Sequence, residues 1–492
     1  MKRSHCLAAI LLAGLPCVAA ADTFPPGHLD PVFGADGRRT VPVVLDVTAP
    51  NAIATVADPL GRLYSVGTFL SPQAYSIAIT RLTQDGDVDT GFGTNGVVTR
   101  TVGTAPAIAH DAVFDPQGRL IVVGETSVNG VNNFFACRFN ADGTADNTFG
   151  VANTPGCVRT FVGQGATAEA VVVQACAPAQ QCVDDQRLVL AGAASLNGKS
   201  LGLLVALESD GTVIDSNFGV GGINFIPSNV ISQPTRFFDV ATNAAGELVA
   251  VGYVELANAD RDFLAFRLDP DGVAESSFSG DGVRTASFDL DNVQKVDEAH
   301  AVHLFDDGSM LLAGQAQTGL LTHRAAILKL DAAGIGDGLF AGGGDGVPDG
   351  VGQVSYDVCG DTCEMQVRDL AVLPNGRILL AGSIAEGVAG DTNLDLARKS
   401  DMFALRLKPD GSPDASFRSD GSDVPGLATV PFDLVDGQSQ DVASSLVLQA
   451  DRVVLGGFAA APDANDDGFE DYRFAFARLG NGGLIFADGF EE

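Results

Sequence analysis

The stretch RLTQDGDVDTGFGTNGVV, residues 81–98, is rewritten twice in close form, as RFNADGTADNTFG at 138–150 and RLDPDGVAESSFSGDGVR at 267–284. Its turn phenylalanine marks further copies, at Phe33, Phe92, Phe149, Phe218, Phe278, Phe340, Phe417 and Phe486. The gaps are 59, 57, 69, 60, 62, 77 and 69 residues, a period near sixty with insertions. A second landmark keeps the same beat. Short apolar runs ending in glycine recur as LYSVG (63–67), LIVVG (120–124), LVLAG (188–192) and LVAVG (248–252), then MLLAG (310–314), ILLAG (378–382) and VVLGG (453–457). Periodicity of this length marks a propeller or a linear array of repeats.

Each repeat holds four strand-like pieces: one such as AHDAVF (109–114), the apolar run, an alternating segment such as NFFACRF (133–139), and one such as GVVTRTV (96–102). Consecutive apolar residues in the second piece imply burial on both faces, as in a sheet stacked between two others. Four strands repeated seven times predict an all-β fold, a seven-bladed β-propeller of four-stranded blades. A linear solenoid would instead need polar caps at both ends. The chain's phase favours a ring. It opens on half a repeat, LDPVFGADGRRTVPVVL (29–45), and finishes on the complementary half, SSLVLQADRVVLGG (444–457) and RFAFARL (473–479). Pairing the N-terminal strand with the C-terminal blade would close the ring and remove both free edges. The propeller is expected to span 22–480, with a short tail at 481–492.

The turn itself has a physical reading. Its Asp-Gly step suits positive φ; Asp89, Asp146 and Asp414 can cap nearby amides; the phenylalanine fills the gap beneath the crossing to the next blade. A cation precedes it in most copies: Arg81, Arg138, Arg267, Lys329, Arg406 and Arg478. On an apolar strand a cation requires a partner, and the turn carboxylates are the expected ones. A ring of substrate-binding arginines is the alternative.

These residues resemble the bacterial delta-60 repeat. LAFRLDPDGVAESSFSGDGVRTASF (264–288) and RDLAVLPNGRILLAGS (368–383) are similar to its turn, D-G-x-x-D-x-x-F-G-x-x-G, and its strand, A-x-x-x-x-D-G-[KR]-I-L-V-A-G. The likeness extends over nearly the whole chain after its leader, with a degraded turn at DAAGIGDGLFAGGGDG (331–346). It implies an exported propeller-like protein and assigns no reaction.

The 492 residues are 46% hydrophobic, enough for a large core, and carry a net charge of −33. Such acidity repels phosphate backbones and anionic lipid, which argues against nucleic-acid and membrane-surface roles. Solubility alone accounts for it, with cation binding the alternative. Lys2 and Arg3, an apolar stretch from Leu7 to Leu15, and Ala19-Ala20-Ala21 before Asp22 read as a signal peptide over 1–21. No later stretch is long and apolar enough to span a bilayer. The protein is expected to be secreted, at the cell surface or in the periplasm, and monomeric; the tail IFADGFEE (485–492) hints at surface sorting. Beyond the leader, six cysteines suit disulfides in an oxidising compartment. Proximity suggests Cys137–Cys157, Cys176–Cys182 and Cys359–Cys363. Zinc at CGDTC is the rival, but no histidine lies near it in sequence.

Chemistry has few footholds. DANDDGFED (463–471) fits a calcium loop, with side-chain oxygens from Asp463, Asn465, Asp467 and Asp471 and the carbonyl of Phe469. An acidic solvent loop is the plain reading of the same residues. His110 and His300 hold equivalent places on first strands, with Asp111, Asp239 and Asp369 at the next position; if those strands line a channel, the five meet at one mouth. Pseudo-symmetry alone would also gather them. No G-x-S-x-G, H-E-x-x-H or phosphate-binding glycine loop occurs. The leading expectation is a non-enzymatic, calcium-stabilised binding or scaffold protein. It would present loops such as SYDVCGDTCEMQ (355–366) and AEGVAGDTNLDLARKSD (385–401) to a protein or glycan ligand. The alternative is a secreted lyase or hydrolase working in the channel.

Overall fold

The computed structural model describes residues 24–482 apart from 46–52, 71–74, 104–105, 151–153, 177–181, 212–217, 291–294, 321, 341–351, 360–361, 386–398, 420–421, 436–439, 450 and 463–470. The 1–21 leader, all but the first two residues of the 481–492 tail, and Phe486 therefore lie outside the described residues. What is described is all-β, with twenty-eight strands and only two short 3-10 turns.

The strands pair into consecutive antiparallel four-strand units: residues 54–100, 107–160, 166–225, 235–286, 297–356, 364–430, and 441–480 together with Arg38–Leu45. They form three four-stranded and two eight-stranded sheets. Each eight-stranded sheet is two units joined at a single residue pair, Leu45 with Phe69 in one and His323 with Glu364 in the other. In the last unit the outer strand comes from the start of the chain: Arg38–Val41 run antiparallel to Phe474–Ala477. The fourth strand is shorter than the sequence suggests, four residues in Val97–Arg100 and three in Ile223–Phe225. In the first of these Gly96 belongs to the preceding turn, and Thr101 and Val102 lie beyond the strand.

The doubly apolar runs are buried throughout, as in Leu120–Val123 and Ile378–Ala381. Their side chains point alternately into two different cores. Ile121 and Val123 pack toward the third unit with Leu188 and Leu190, whereas Leu120 and Val122 pack toward the first with Tyr64 and Ile79. Every buried cluster spans two consecutive units, and one joins the last to the first, placing Phe474 and Phe476 against Leu63 and Leu82.

The recurrent turn is a clasp between neighbours. Asp89 accepts from the Gly91 amide with one oxygen and from Arg81 with the other, at 3.1 and 2.8 Å. Arg81 lies 4.6 Å above the Phe92 ring and donates to the carbonyl of Ala141 in the next unit. The next unit's Gly143, at φ 86°, rests against the ring, where a Cβ would come within 2.8 Å. That position requires glycine for both conformation and space. Arg138 reaches Ser209, Arg267 reaches Ala332, Arg406 reaches Asn481, and Arg478 reaches Gln84 of the first unit, each through its guanidinium to a carbonyl.

Carboxylate pairing follows expectation for Arg81, Arg138, Lys329 and Arg406 with Asp89, Asp146, Asp337 and Asp414, and for Arg478 with Asp30. Arg267 differs. Its turn carries Glu275, which accepts from Ser277, and the guanidinium pairs with Glu247, just before the strand Leu248–Glu255, at 3.0 Å. The third unit has Ala206 at the arginine position, yet the clasp persists. Arg187, on the adjacent strand, stacks 4.8 Å from Phe218 and donates to the Pro270 carbonyl of the next unit. The guanidinium keeps its place although its backbone origin has moved.

Truncation of a clasp ring should therefore cost far more than truncation of an exposed one. Phe149→Ala is expected to lower stability in urea titrations by about 3–5 kcal/mol. Phe161→Ala, at a side chain that is 63% exposed, should stay within about 0.5 kcal/mol.

Candidate functional site: an axial cavity

The first strands of six units carry a β-bulge in the same phase. Ala109 pairs with Gly124 and Asp111 with Val123, so His110 is an extra, unpaired residue. The same break falls at Glu169, Phe238, His300, Arg368 and Ser444. A bulge re-aims the extra side chain, and here all six line one cavity of about 120 Å³. Ile53, in the corresponding place of the first unit, lines it too.

The glycine that ends the apolar run in these six units has its explanation here. It faces the bulge, and the carbonyl two residues before the extra one folds over it. A Cβ on Gly124 would lie 2.0 Å from the Ile108 oxygen, and one on Gly382 1.8 Å from that of Gln366. No side chain fits there, so glycine on the second strand is what permits the bulge on the first.

The five residues singled out in the sequence, His110, Asp111, Asp239, His300 and Asp369, all line this cavity. The two residue types do different work. Each aspartate accepts the amide of its own successor with one oxygen and an amide of the next unit with the other. Asp111 binds Ala112 and Val171 at 2.7 and 2.8 Å, Asp239 binds Val240 and Val302 at 2.7 and 2.8 Å, and Asp369 binds Leu370 and Leu446 at 2.7 and 2.6 Å. Alternate units thus supply a carboxylate, and the units between them, with Ala170 and Ala301 at that place, supply the amide. Ser445 makes the corresponding link from the seventh unit, its hydroxyl accepting from Thr55 at 2.9 Å. The carboxylates satisfy amides that the bulges strip from the ladder.

Burial pushes all three acids up, Asp111 to about 7, Asp239 to about 8 and Asp369 to about 6; the amide bonds oppose this, and mutual repulsion adds to it at Asp111 and Asp239.

The histidines have carboxylate neighbours. His110 Nδ1 is 3.6 Å from Glu169, which is also gripped by Arg236, and His300 Nε2 is 3.4 Å from Glu298, which pairs with Arg261. Burial lowers His300, with Glu298 opposing. Burial resists ionisation of Glu298, yet His300 and Arg261 hold it down at about 2. Both nitrogens of His110 and the hydroxyl of Ser444 have no hydrogen-bond partner. Glu169, Phe238, Arg368 and Ser444 escape a sequence reading, because nothing but the facing glycine signals a bulge.

The cysteines join as proximity suggests. Cys137–Cys157 is a cross-strand pair, Cys176–Cys182 spans the loop between two strands of the third unit, and Cys359–Cys363 staples the passage from the fifth to the sixth. Of the calcium candidates, Asp463, Asn465, Asp467 and Phe469 lie outside the described residues; Asp471 is buried at the start of Asp471–Gly480, opposite Ala461. Among the described residues no group of three or more His, Cys, Asp or Glu is arranged to hold a metal, and no helix is long and apolar enough to cross a membrane.

Two segments, 116–149 and 373–417, match a family model described as a domain of unknown function (DUF5122), beta-propeller. No curated protein matches the chain. Among solved structures it is similar to the polysaccharide lyase Uly1, at 10% identity and a TM-score of 0.45, with 92% of each chain covered. It is similar to a PL25 ulvan lyase at 10% and 0.42, over 94% of this chain and 96% of that one. Sqt1 from Chaetomium thermophilum follows at 12% and 0.39, over 90% and 99%. Likenesses at this level transfer no activity.

The raised acids set a pH dependence. A carboxyl whose pKa is higher folded than unfolded binds more protons in the native state between about pH 4 and the folded value, so its stabilisation is full below about 4 and is lost as pH rises. Urea-derived stability is expected to fall between pH 5 and pH 8.5, and to fall less in Asp239→Asn, which removes the most shifted of the three. A stability that rises over this range would contradict the assignment.

Proposed function

We propose that the seven units are the blades of a closed seven-bladed ring, and that the protein is an exported, monomeric binding or scaffold module of the delta-60 kind that holds a protein or glycan ligand on its loops. The observation that carries the non-catalytic reading is the engagement of Asp111, Asp239 and Asp369. Both oxygens of each are taken by backbone amides, so the acids best placed for acid–base work are spent on joining neighbours. Ring closure is supported by the pairing of Arg38–Val41 with Phe474–Ala477, by the Arg478–Gln84 contact and by the core shared between last and first units. Three disulfides suit an oxidising compartment. Calcium at Asp463–Asp471 belongs to the same proposal. It would rigidify a hairpin loop beside the closing strand.

A second reading, a secreted lyase or hydrolase, is favoured by one observation: His110 stands 3.6 Å from Glu169 with neither ring nitrogen hydrogen-bonded, a pairing suited to proton transfer.

Thermal-shift measurements with calcium, chelator and a glycan panel separate these readings when run beside a depolymerisation assay on the same glycans. The scaffold reading expects calcium to raise the melting temperature, a chelator to reverse it, and no glycan to be cleaved. A melting temperature indifferent to calcium removes the metal loop. Cleavage that disappears in His110→Ala establishes the enzyme.

A further inference from the structure

The axial cavity holds donors that the protein does not use. His110 is only 7% exposed, and neither of its ring nitrogens nor the Ser444 hydroxyl meets a hydrogen-bond partner. A buried polar group without a hydrogen bond keeps its desolvation penalty, so a guest offering acceptors at this point would be stabilised. His110 and Ser444 stand at the bulges on either side of Ile53, and Arg368, one of whose nitrogens donates to Gln366, stands at the bulge next to Ser444. The two glutamates near the histidines are already compensated, Glu169 by Arg236 and Glu298 by Arg261.

Size and polarity narrow the guest. At about 120 Å³ the space holds roughly four waters at about 30 Å³ each, or a molecule of a few heavy atoms. Its wall is mixed, with Ile53, Ala54, Ala170 and Phe238 supplying apolar surface beside the donors. The planar fork of a guanidinium matches a carboxylate. A phosphate dianion would bring a second negative charge next to three aspartates and no apolar part for the wall. Asp239 also lines a wider depression of about 720 Å³ walled by Val113, Val172 and Val240.

We propose that the axial cavity is a binding site for a small monocarboxylate of acetate size, its carboxylate accepting from His110, Ser444 and Arg368 and its hydrocarbon end resting on the apolar wall. The raised pKa values of the aspartates support this, because acids held partly protonated near neutral pH leave the cavity less hostile to an anion. The site is independent of any ligand on the outer loops.

The test is calorimetric titration of the full-length exported protein with sodium acetate, with sodium chloride and inorganic phosphate at matched ionic strength. Saturable 1:1 binding of acetate, weakened at least tenfold in Ser444→Ala and in His110→Phe, is expected, with no saturable binding of phosphate or chloride. Absence of acetate binding, binding unchanged in both variants, or phosphate binding in its place would overturn the proposal. Should the His110 variant fail to fold, histidine ¹⁵N spectra of the unmodified protein decide. Acetate must shift the ring nitrogens of His110, and ring signals that stay fixed throughout the titration refute the site.

Discussion

A guanidinium stacked on a phenylalanine and bonded to the carbonyl of the next unit is the contact on which this architecture rests. A four-strand sheet has two apolar faces and cannot be stable alone, so each unit must be fixed to its neighbours at a set distance and angle. The turn achieves this with three parts. The phenylalanine fills the crossing, the neighbour's glycine lets backbone lie flat on the ring, and the arginine, held by a carboxylate in most copies, ties ring to carbonyl. A buried cation is costly unless fully partnered, which makes the geometry restrictive. The third unit is the most telling instance. Arg187 starts from a different strand and ends above Phe218 with its hand on Pro270. The charge occupies the same position relative to the ring although its position in the repeat differs.

A second set of contacts works at the axis, where the side chains of Asp111, Asp239 and Asp369 cross to the adjoining unit. Bulges supply side chains to the cavity and free amides as a by-product; the aspartates absorb those amides. Outer clasp and inner link act at opposite ends of each sheet, so neither hinge nor shear between neighbours is easy. The same bulges leave His110 and Ser444 facing a small cavity, so the contacts that join neighbouring units also furnish it with unused donors.

Much of this was legible in the sequence because it is periodic. Turn phenylalanines and apolar runs keep fixed order, and doubly buried strands have a composition of their own, so the all-β class, the four-strand units and the pairing of the first strand with the last unit could be read directly. The cysteine partners could be read because loop proximity left little choice. His110, Asp111, Asp239, His300 and Asp369 came together as equivalence of position implies. Their roles did not show, because a bulge is a matter of register between two strands and adds no distinctive residue where it occurs. Its trace sits on the facing strand, in Gly124 and Gly382, where a glycine at the end of an apolar run passes for a simple turn signal. The switch of Arg267 to Glu247, and the migration of the third cation to Arg187, are invisible for a related reason: a long flexible side chain can reach one site from several backbone origins.

The account stands or falls on the closing unit, where a strand from the start of the chain completes a sheet begun at its end. Hydrogen exchange of the native protein, followed by peptide mass analysis, tests this at the strand itself. In the proposed ring the amides of residues 38–41 exchange as slowly as those of 474–477, because each strand protects the other and the two are released in one opening event. Exchange of 38–41 within seconds, while 474–477 and the inner strands stay protected, would mean that the ring is open.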